Sequence, residues 1–449
     1  MFETFRSMVS PLSEKGDLGE RERNMNILKE YLVPSICGRT YLYGNHADAS
    51  VSSRIVAALT MQIDPTVLAA SLHEAVARFP HFCVGLNPDG GRVFFKELDA
   101  EVPVFKDDAD QPFAFDDPAL NGYLFKVAYV QKTICFDFHR AMADEAAMMT
   151  FVKSVLFNYL ERAGYPVTTG GAIKLLSSEY FKAEGEDAMV RLDDAQASRP
   201  VWYMDAKAVV PADSEGEVEE VVHIRVPVSK LRRDYADIVN IPVTYVAPLF
   251  SHAVHEMYGG EMESGEYVVA SVQVNLRPYY PSATMRPYHT PVYLAYNRNL
   301  SDYPYSTVLM SQKKLLEAQL KPDTLAYSAQ RKIADIERAY EGSVDKIDER
   351  FNKLQAGLKA KSTYDIAGLG HVILPESMQR LVTELYPVIP SSGKTFSVTT
   401  ELFKNELAVT VSGRRNTWHV AERLVELLQG NDIDAYIADS YSFRPMSGK

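Results

Sequence analysis

FDFHRAMADEAAMMTFVKSVL, residues 136–156, has the pattern of a strand end, a short turn and the first turns of a helix. The apolar strand delivers His139 to the turn, and Asp144 stands where a carboxylate caps the unpaired N–H groups of a helix. Apolar side chains then recur at three- and four-residue spacing, so we predict a helix over 145–162 that stops before Gly164. This turn carries the chemistry-bearing side chains of the segment.

Strand and helix patterns alternate on both sides of this unit. Asp64 and Pro65 suit the cap and the first position of a helix over 64–78, whose apolar residues share one face. Further strands are predicted at 82–86, 92–98, 124–130, 133–138, 221–228, 267–276, 396–400, 407–411 and 435–438. Further helices are predicted at 243–258, at 417–429 and, with breaks near Pro322 and Gly342, within 306–360. The mixture indicates an α/β (α+β) fold.

The composition is that of a soluble globular protein. The 449 residues are 46% hydrophobic and 24% charged, and 47 Lys+Arg against 59 Asp+Glu give a net charge of −12. This acidic balance excludes a general nucleic-acid binder, which needs a basic face. No apolar stretch reaches the roughly 18–20 residues of a membrane span, and no signal-peptide pattern or cysteine-based site is visible. We therefore expect a cytoplasmic protein without a nucleic-acid partner.

An acidic segment divides the chain. Residues 185–220 contain Pro200, Pro211, many carboxylates and little periodicity, which is typical of a surface crossover. At about 100–200 residues per domain, the length allows two or three domains. We predict a first lobe over 1–185, a linker over 186–220 and a second lobe over 221–449.

Four segments resemble the CoA-dependent acyltransferase superfamily, which includes chloramphenicol acetyltransferase, peptide-synthetase condensation domains and alcohol acetyltransferases. The segment that contains His139 is similar to the HHxxxDG region of that superfamily. Three further segments are similar to the alcohol acetyltransferase-like branch: ARFPHF at 77–82, VNLRPYYPSATMRPY at 274–288 and AGLGHVILP at 367–375. The four segments occur in the expected order and span most of the chain.

The resemblance implies two chloramphenicol-acetyltransferase-like lobes, each a mixed sheet covered by helices, with a tunnel between them. Acyl-CoA would enter the tunnel as a co-substrate rather than as a tightly bound cofactor, and a small alcohol or amine would be the acyl acceptor. In the family, the second His of HHxxxDG deprotonates the acceptor, which then attacks the thioester carbonyl. The resemblance implies no metal.

Arg140 stands at the position of that second His. Arginine has a pKa above about 12, so making it a neutral base at pH 7 would cost roughly 7 kcal/mol. Arg140 therefore cannot act as the base, although its charge could stabilise a thioester oxyanion or bind an anionic acceptor. His139 is the first His of the motif, and we expect it to face away from the tunnel because adjacent strand residues point to opposite faces.

Asp144 keeps the Asp of the motif, whereas Glu145 replaces its Gly. In the family this Asp is structural and pairs with an Arg of the second lobe, for which Arg277 in VNLR is the matching residue. Asp144 could also be an ordinary helix cap. Pro287 takes the place of the Asn in the second-lobe segment, and no segment resembles the DFGWG motif of many relatives.

Other motifs compete with this interpretation. The turn also fits the H-x-x-x-x-D spacing of glycerolipid acyltransferases, but the accompanying Pro-Glu-Gly segment is absent. His252, His255 and Glu256 share a predicted helix without a further metal ligand nearby, which favours half-buried histidines. SSGKT at 391–395 lacks the first Gly of a phosphate loop and is predicted to be a hairpin loop.

The sequence leaves two functions open. The first is an acyl-CoA-dependent O-acyltransferase-like protein whose degenerate site is weak or inactive in acyl transfer, and which keeps its fold to bind a small ligand or a protein partner. The alternative is an active acyltransferase that moves an acyl group from CoA to a small alcohol or amine with a non-standard site.

Overall fold

The computed structural model describes residues 31–44, 51–106, 115, 117–200, 206–210, 218–229, 231, 242–296, 298–391 and 394–443. Residues 1–30, which the signal-peptide prediction concerns, and residues 201–205 and 211–217 of the predicted linker lie outside these ranges.

Helices and strands alternate along the described ranges. The strands are β1 Ser52–Leu59, β2 Val84–Asp89, β3 Arg92–Glu97, β4 Val104–Lys106, β5 Phe125–Val130, β6 Thr133–His139, β7 Lys207–Ala208, β8 Glu219–Pro227, β9 Glu266–Asn275, β10 His289–Tyr296, β11 Tyr364–Val372, β12 Val382–Val388, β13 Phe396–Phe403, β14 Glu406–Gly413 and β15 Tyr436–Phe443. The α-helices are α1 Ile36–Arg39, α2 Pro65–Arg78, α3 Glu145–Arg162, α4 Val243–Tyr258, α5 Tyr305–Gln319, α6 Pro322–Tyr340, α7 Ile347–Lys359, α8 Glu376–Gln379 and α9 Thr417–Gln429.

The first lobe is built on a five-stranded sheet with the order β12-β1-β6-β5-β4. β5 and β6 form a hairpin as predicted, and β2 pairs with β3 in a separate hairpin. α2 and α3 pack together over an aromatic core, in which the Phe82 and Phe151 rings stack with centroids 4.6 Å apart. Asp64 and Asp144 cap these two helices, so both predicted helix starts are confirmed.

The second lobe is built on a sheet with the order β10-β9-β11-β13-β14-β8-β15, and β7 pairs with the start of β9. α4 and α9 pack on one face, where alternate strand residues such as Val272 and Val398 enter the core. The predicted helices over 243–258 and 417–429 coincide with α4 and α9, and the predicted 306–360 stretch divides into α5, α6 and α7. The α/β (α+β) prediction is confirmed.

One strand from the second half of the chain completes the sheet of the first lobe. β12 pairs antiparallel with β1, with Arg54 opposite Val388. The sequence did not predict β12, β1, β10 or β11, and β15 extends beyond the predicted 435–438. The partition of the chain at 186–220 stays a prediction.

Polar side chains lie where the two sheets meet. Arg54 makes two hydrogen bonds to Asp137, of 2.7 and 3.0 Å, and both side chains are buried. On the second sheet, His223 Nδ1 lies 2.9 Å from the Thr410 hydroxyl, and its ring contacts β12. Burial first, and then the charge of Arg225, lower the pKa of His223 to about 3.

His223 should make the stability of the protein depend on pH. The unfolded chain holds a histidine with a pKa of about 6.5, so below that pH it binds a proton that the folded chain does not bind. The stability that His223 contributes is present above about pH 6.5 and is lost as the pH falls toward 3. At pH 5 this group alone should lower the free energy of unfolding by about 2 kcal/mol.

Urea unfolding at pH 7 and at pH 5 measures this dependence, and the His223→Gln variant provides the comparison. The variant should lose the share of the pH dependence that belongs to the histidine. An equal pH dependence in the two proteins would contradict the assignment.

Candidate active site

A cavity of about 250 Å³ lies between the turn that follows β6 and the second sheet. Arg140 and Tyr41 bound it on one side, and residues of β9, β10 and β11 bound it on another. Residues of α6 and α7 complete its wall. A smaller pocket, around Asp144, shares several lining residues with it. Because one water needs only about 10–15 Å³, the cavity has room for part of an organic ligand.

The register of the second sheet decides which side chains face the cavity. Gln273 on β9 lies opposite Pro291 on β10 and opposite Ala367 on β11, and all three line the cavity. Paired positions point to the same face of a sheet, and that face recurs every second residue. Steps of two residues bring the following side chains to the same face, where they line the cavity or the smaller pocket: Ser271, Asn275, His289, Tyr293, Asp365, Ser397 and Thr399.

Arg140 is held at the cavity wall by residues close to it in the fold. Its Nε lies 3.5 Å from Glu145 Oε1, and its guanidinium lies over the Tyr41 ring, 4.8 Å from the centroid. Burial works to lower the pKa of Arg140, but the nearby acidic groups of Tyr41, Glu145, Asp365 and Asp144 together raise that pKa above its usual value. The two residues that depart from the HHxxxDG motif at its second and last positions therefore pair with each other.

Asp144 joins the two lobes through both of its carboxylate oxygens. Oδ1 accepts a hydrogen bond from the Ala147 N–H at 3.0 Å, which caps α3. Oδ2 accepts one from Arg277 Nη1 at 2.7 Å and one from the Tyr288 N–H at 2.8 Å. Arg277 also donates to the carbonyl oxygens of Thr284 and Arg286. The two interpretations of Asp144, helix cap and partner of Arg277, describe the same side chain.

His139 lies at the end of β6 and is not among the residues that line the two cavities. Its Nδ1 accepts a hydrogen bond from the Ala141 N–H at 3.1 Å, and its ring contacts Phe115 edge-on, with centroids 5.0 Å apart. The side chain is buried. The structure therefore gives His139 a place in the packing of the turn.

His289, the first residue of β10, is a functional candidate that the sequence did not reveal. It lines both cavities, is only 9% exposed, and its Nδ1 is buried without a hydrogen-bond partner among the described residues. Burial first, and then the charges of Lys332 and Arg140, lower the pKa of His289 well below its usual range. The imidazole is therefore neutral at pH 7. Lys332 Nζ donates to the carbonyl oxygen of His289 at 3.0 Å, which fixes the start of the strand.

Cationic side chains of α6, of α7 and of the segment before β11 line the cavity. Arg331, Lys359 and Lys361 line it and are exposed. Lys394 also lines it, but its ammonium group caps the C-terminal end of α7. Its partners are the carbonyl oxygens of Leu358, Lys359 and Ser362 and the Ser362 hydroxyl. The SSGKT segment thus supplies a helix cap through its lysine.

The competing sites find no support in the geometry. His252 Nδ1 lies 2.6 Å from the Tyr296 hydroxyl and its Nε2 lies 3.3 Å from Glu256. Among the described residues, no group of three His, Cys, Asp or Glu side chains is placed to hold a metal ion. In the same part of the chain, no helix combines the length and the apolarity needed to cross a membrane.

Comparisons with known proteins bear on the fold. No family model matches the chain, and no curated protein matches it. Among solved structures, it is similar to TRI101 from F. sporotrichioides complexed with coenzyme A and T-2, at 12% identity and a TM-score of 0.58, over 90% of this chain and 99% of that one. The chain has the two-lobed fold of CoA-dependent acyltransferases and condensation domains.

Two further structures share this acyltransferase-type fold. Polyketide synthase associated protein 5 from Mycobacterium tuberculosis is 11% identical, with a TM-score of 0.57 over 88% of this chain and 96% of that one. The first condensation domain of the CDA synthetase is 15% identical, with a TM-score of 0.54 over 85% of this chain and 91% of that one. The fold implied by the four sequence segments is confirmed. At these identities the likeness extends to the fold alone.

One signal could have drawn attention to His289. Residues 289–296, HTPVYLAY, alternate in the manner of a strand, and the histidine opens the run. Pro291 interrupts the pattern because a proline lacks the N–H that a central strand needs. The structure resolves the conflict, since β10 lies at the edge of its sheet, where a proline is tolerated.

Proposed function

We propose that this acyltransferase-like protein binds an acyl-CoA in the cavity and transfers the acyl group only weakly to a small alcohol or amine. One observation carries the proposal: Arg140, at the position of the catalytic His, lines the same cavity as three exposed cations, Arg331, Lys359 and Lys361. The proposal includes a tunnel between the lobes that leads from those cations to Arg140. A cytoplasmic location also belongs to it and rests on the three-cysteine count.

The cationic lining of the cavity suits the phosphates of CoA. The whole chain carries a net charge of −12, yet cations outnumber carboxylates along the cavity, where Arg331, Lys359 and Lys361 are exposed and Asp335 and Asp365 are the acidic residues. Ammonium and guanidinium groups are the usual partners of phosphate oxygens, and hydrogen bonds between charged groups are stronger than neutral ones. TRI101, whose fold this chain shares, was solved with coenzyme A bound.

Arg140 would serve the reaction as a fixed cation. When the acceptor attacks the thioester, negative charge develops on the carbonyl oxygen, and a preorganised positive group nearby stabilises it. Arg140 stays charged near neutral pH because the ordinary pKa of arginine is above about 12. It cannot take the acceptor's proton, and a general base contributes about 10²–10⁴-fold to such a reaction. Transfer should therefore be slow compared with a relative that keeps the His.

A second candidate function is binding without catalysis. The ion pair between Arg140 and Glu145 favours it, because the two residues that depart from the motif pair with each other. Such a protein would use the cavity for a small ligand, or the fold for a protein partner. Binding of CoA without any release of thiol from acetyl-CoA would distinguish this function from weak transfer.

Replacing Lys359 and Lys361 by glutamine should weaken CoA binding about tenfold, which corresponds to about 1.4 kcal/mol. Each replacement removes a cation from the cavity lining while keeping a polar side chain. Isothermal titration calorimetry with CoA measures the change. The loss should be smaller with pantetheine, which has no phosphates, and smaller in high salt, which screens exposed charges.

The Lys313→Gln variant is the matched control. Lys313 lies on α5, is paired with Glu317 at 3.8 Å and does not line the cavity. CoA binding should be unchanged in this variant. Equal losses in the control and the test variants, or none in either, would contradict the phosphate assignment.

A further inference from the structure

His289 stands on the cavity face of the second sheet. It pairs with Asn275, two residues from Gln273, and it lies two residues before Pro291. Because side chains at paired and alternate positions share a face, the imidazole lies on the side of the sheet that borders the cavity. The opposite face carries the apolar core against α4 and α9. The histidine is thus placed among residues that a bound acyl thioester would meet.

The described residues include two buried histidines with a ring nitrogen that lacks a hydrogen-bond partner, His81 and His289, and of the two only His289 lines the cavity. Buried polar atoms nearly always have hydrogen-bond partners, and a missing partner points to a ligand, a water or a catalytic role. The Nδ1 of His289 has none among the described residues, although the ring is more than nine-tenths buried. Three cations, Lys332, Arg140 and Arg277, disfavour its protonated form. The ring can therefore accept a proton but does not carry one at rest.

We propose that His289 takes up the proton of the acceptor during acyl transfer, the task that Arg140 cannot perform. The proposal rests on the proposed function, in which an acyl-CoA occupies the cavity. In this proposal Arg140 stabilises the negative charge on the thioester oxygen, and His289 is the general base.

The step balances with the acyl-CoA and the acceptor alone. The acceptor hydroxyl or amine gives its proton to the imidazole of His289, and its oxygen or nitrogen forms a bond to the thioester carbonyl carbon. Arg140 faces the negative charge that develops on the carbonyl oxygen. The tetrahedral intermediate then loses its carbon–sulfur bond, and the imidazolium returns the proton to the sulfur. The products are the ester or amide and free CoA.

The surroundings of His289 also explain why this base would be weak. A general base works best when its pKa lies near the working pH. The cations around His289, together with burial, hold its pKa below that range. A lower proton affinity reduces the driving force for proton removal, so His289 supports transfer more slowly than the His of the motif would. A slow acyl transfer agrees with the proposed function.

The test measures thiol release from acetyl-CoA in the presence of 1-butanol, followed with a thiol-reactive dye. His289→Gln should lower the rate of release at least tenfold. His223→Gln is the matched control, because His223 is a buried histidine on the same face of the same sheet and does not line the cavity. Its rate should stay within twofold of the native rate. CoA binding, measured separately, should change less than threefold in either variant.

Testing His289→Gln in a second protein variant distinguishes a general base at His289 from a structural role of that residue. In a protein with both Arg140→His and Glu145→Gly, the base of the motif is restored, so His289→Gln should lower the rate less than threefold. A tenfold loss in that background, or a native-like rate of His289→Gln in the native background, would overturn the proposal. Native protein that binds CoA but releases no thiol would also overturn it while leaving CoA binding intact. Native protein that binds no CoA would instead refute the proposed function.

Discussion

Replacing Arg140 by His and Glu145 by Gly in the same protein should raise thiol release from acetyl-CoA about 10²-fold above the native rate. The paired replacement restores the second His and the Gly of HHxxxDG at the turn that borders the cavity. A well-placed general base contributes about 10²–10⁴-fold. The lower end is expected because the native protein already has a weak base in His289.

The two replacements have to be made together. In the native structure Glu145 lies 3.5 Å from Arg140, and its Oε1 is buried without a hydrogen-bond partner among the described residues. A histidine placed alone at position 140 would meet this carboxylate, which favours the protonated imidazole and so removes the base. Arg140→His alone should therefore give a smaller gain than the double replacement.

The control is the double variant Arg140→Gln with Glu145→Gly, which removes both charges and supplies no base. Its rate of thiol release should fall below the native rate, because the oxyanion loses a cation and gains nothing. If this variant and the histidine variant released thiol at the same rate, the gain could not come from a base at position 140.

Asp144→Ala should lower the free energy of unfolding by about 3 kcal/mol, the low end of the cost of breaking a buried ion pair, because Asp144 is buried and Arg277 is partly exposed. The carboxylate of Asp144 accepts hydrogen bonds from Arg277, from the Tyr288 N–H and from the first turn of α3. Its removal takes away the charged partner of Arg277, which keeps its hydrogen bonds to the Thr284 and Arg286 carbonyl oxygens, and it uncaps the helix. Urea unfolding, followed by circular dichroism, measures the loss.

Asp64→Ala is the matched control, because Asp64 caps α2 through the N–H groups of Thr66 and Val67. The loss of a cap costs about 1 kcal/mol. The difference between the two variants is the part that belongs to the contacts across the lobes. In a variant that carries both Asp144→Ala and Arg277→Met, the losses should add up to less than the sum of the single losses. Losses of equal size for Asp64→Ala and Asp144→Ala would rule out a stabilising ion pair.

Local chemistry made some elements predictable from sequence. A cap, a proline at the first position and one apolar face fixed α2, and the same reasoning placed α3, α4 and α9. These signals lie within one helix and need no partner elsewhere in the chain. The turn with His139 and Asp144 was visible for the same reason, because its residues are contiguous.

The elements and contacts that the sequence did not predict depend on residues far apart in the chain or on the geometry of a turn. β1 and β12 are far apart in sequence and pair with each other in one sheet, with Arg54 opposite Val388. Neither local sequence pattern indicates this pairing. The ion pair between Arg140 and Glu145 could not be predicted from sequence. The two residues are five positions apart, and the chain between them passes through a turn whose geometry the sequence does not specify. His289 could not be placed at the cavity without the register between β9 and β10.

The position of β12 has a consequence for how the chain folds and can be divided. If the first lobe were separated from residues 382–388, the side of β1 that β12 occupies would become an open edge of unpaired N–H and C=O groups. Such an edge invites pairing with another chain and aggregation. Residues from distant parts of the chain must also meet before this sheet closes, which raises the contact order and slows folding. The sheet of the first lobe therefore depends on residues 382–388, which lie in the second half of the chain.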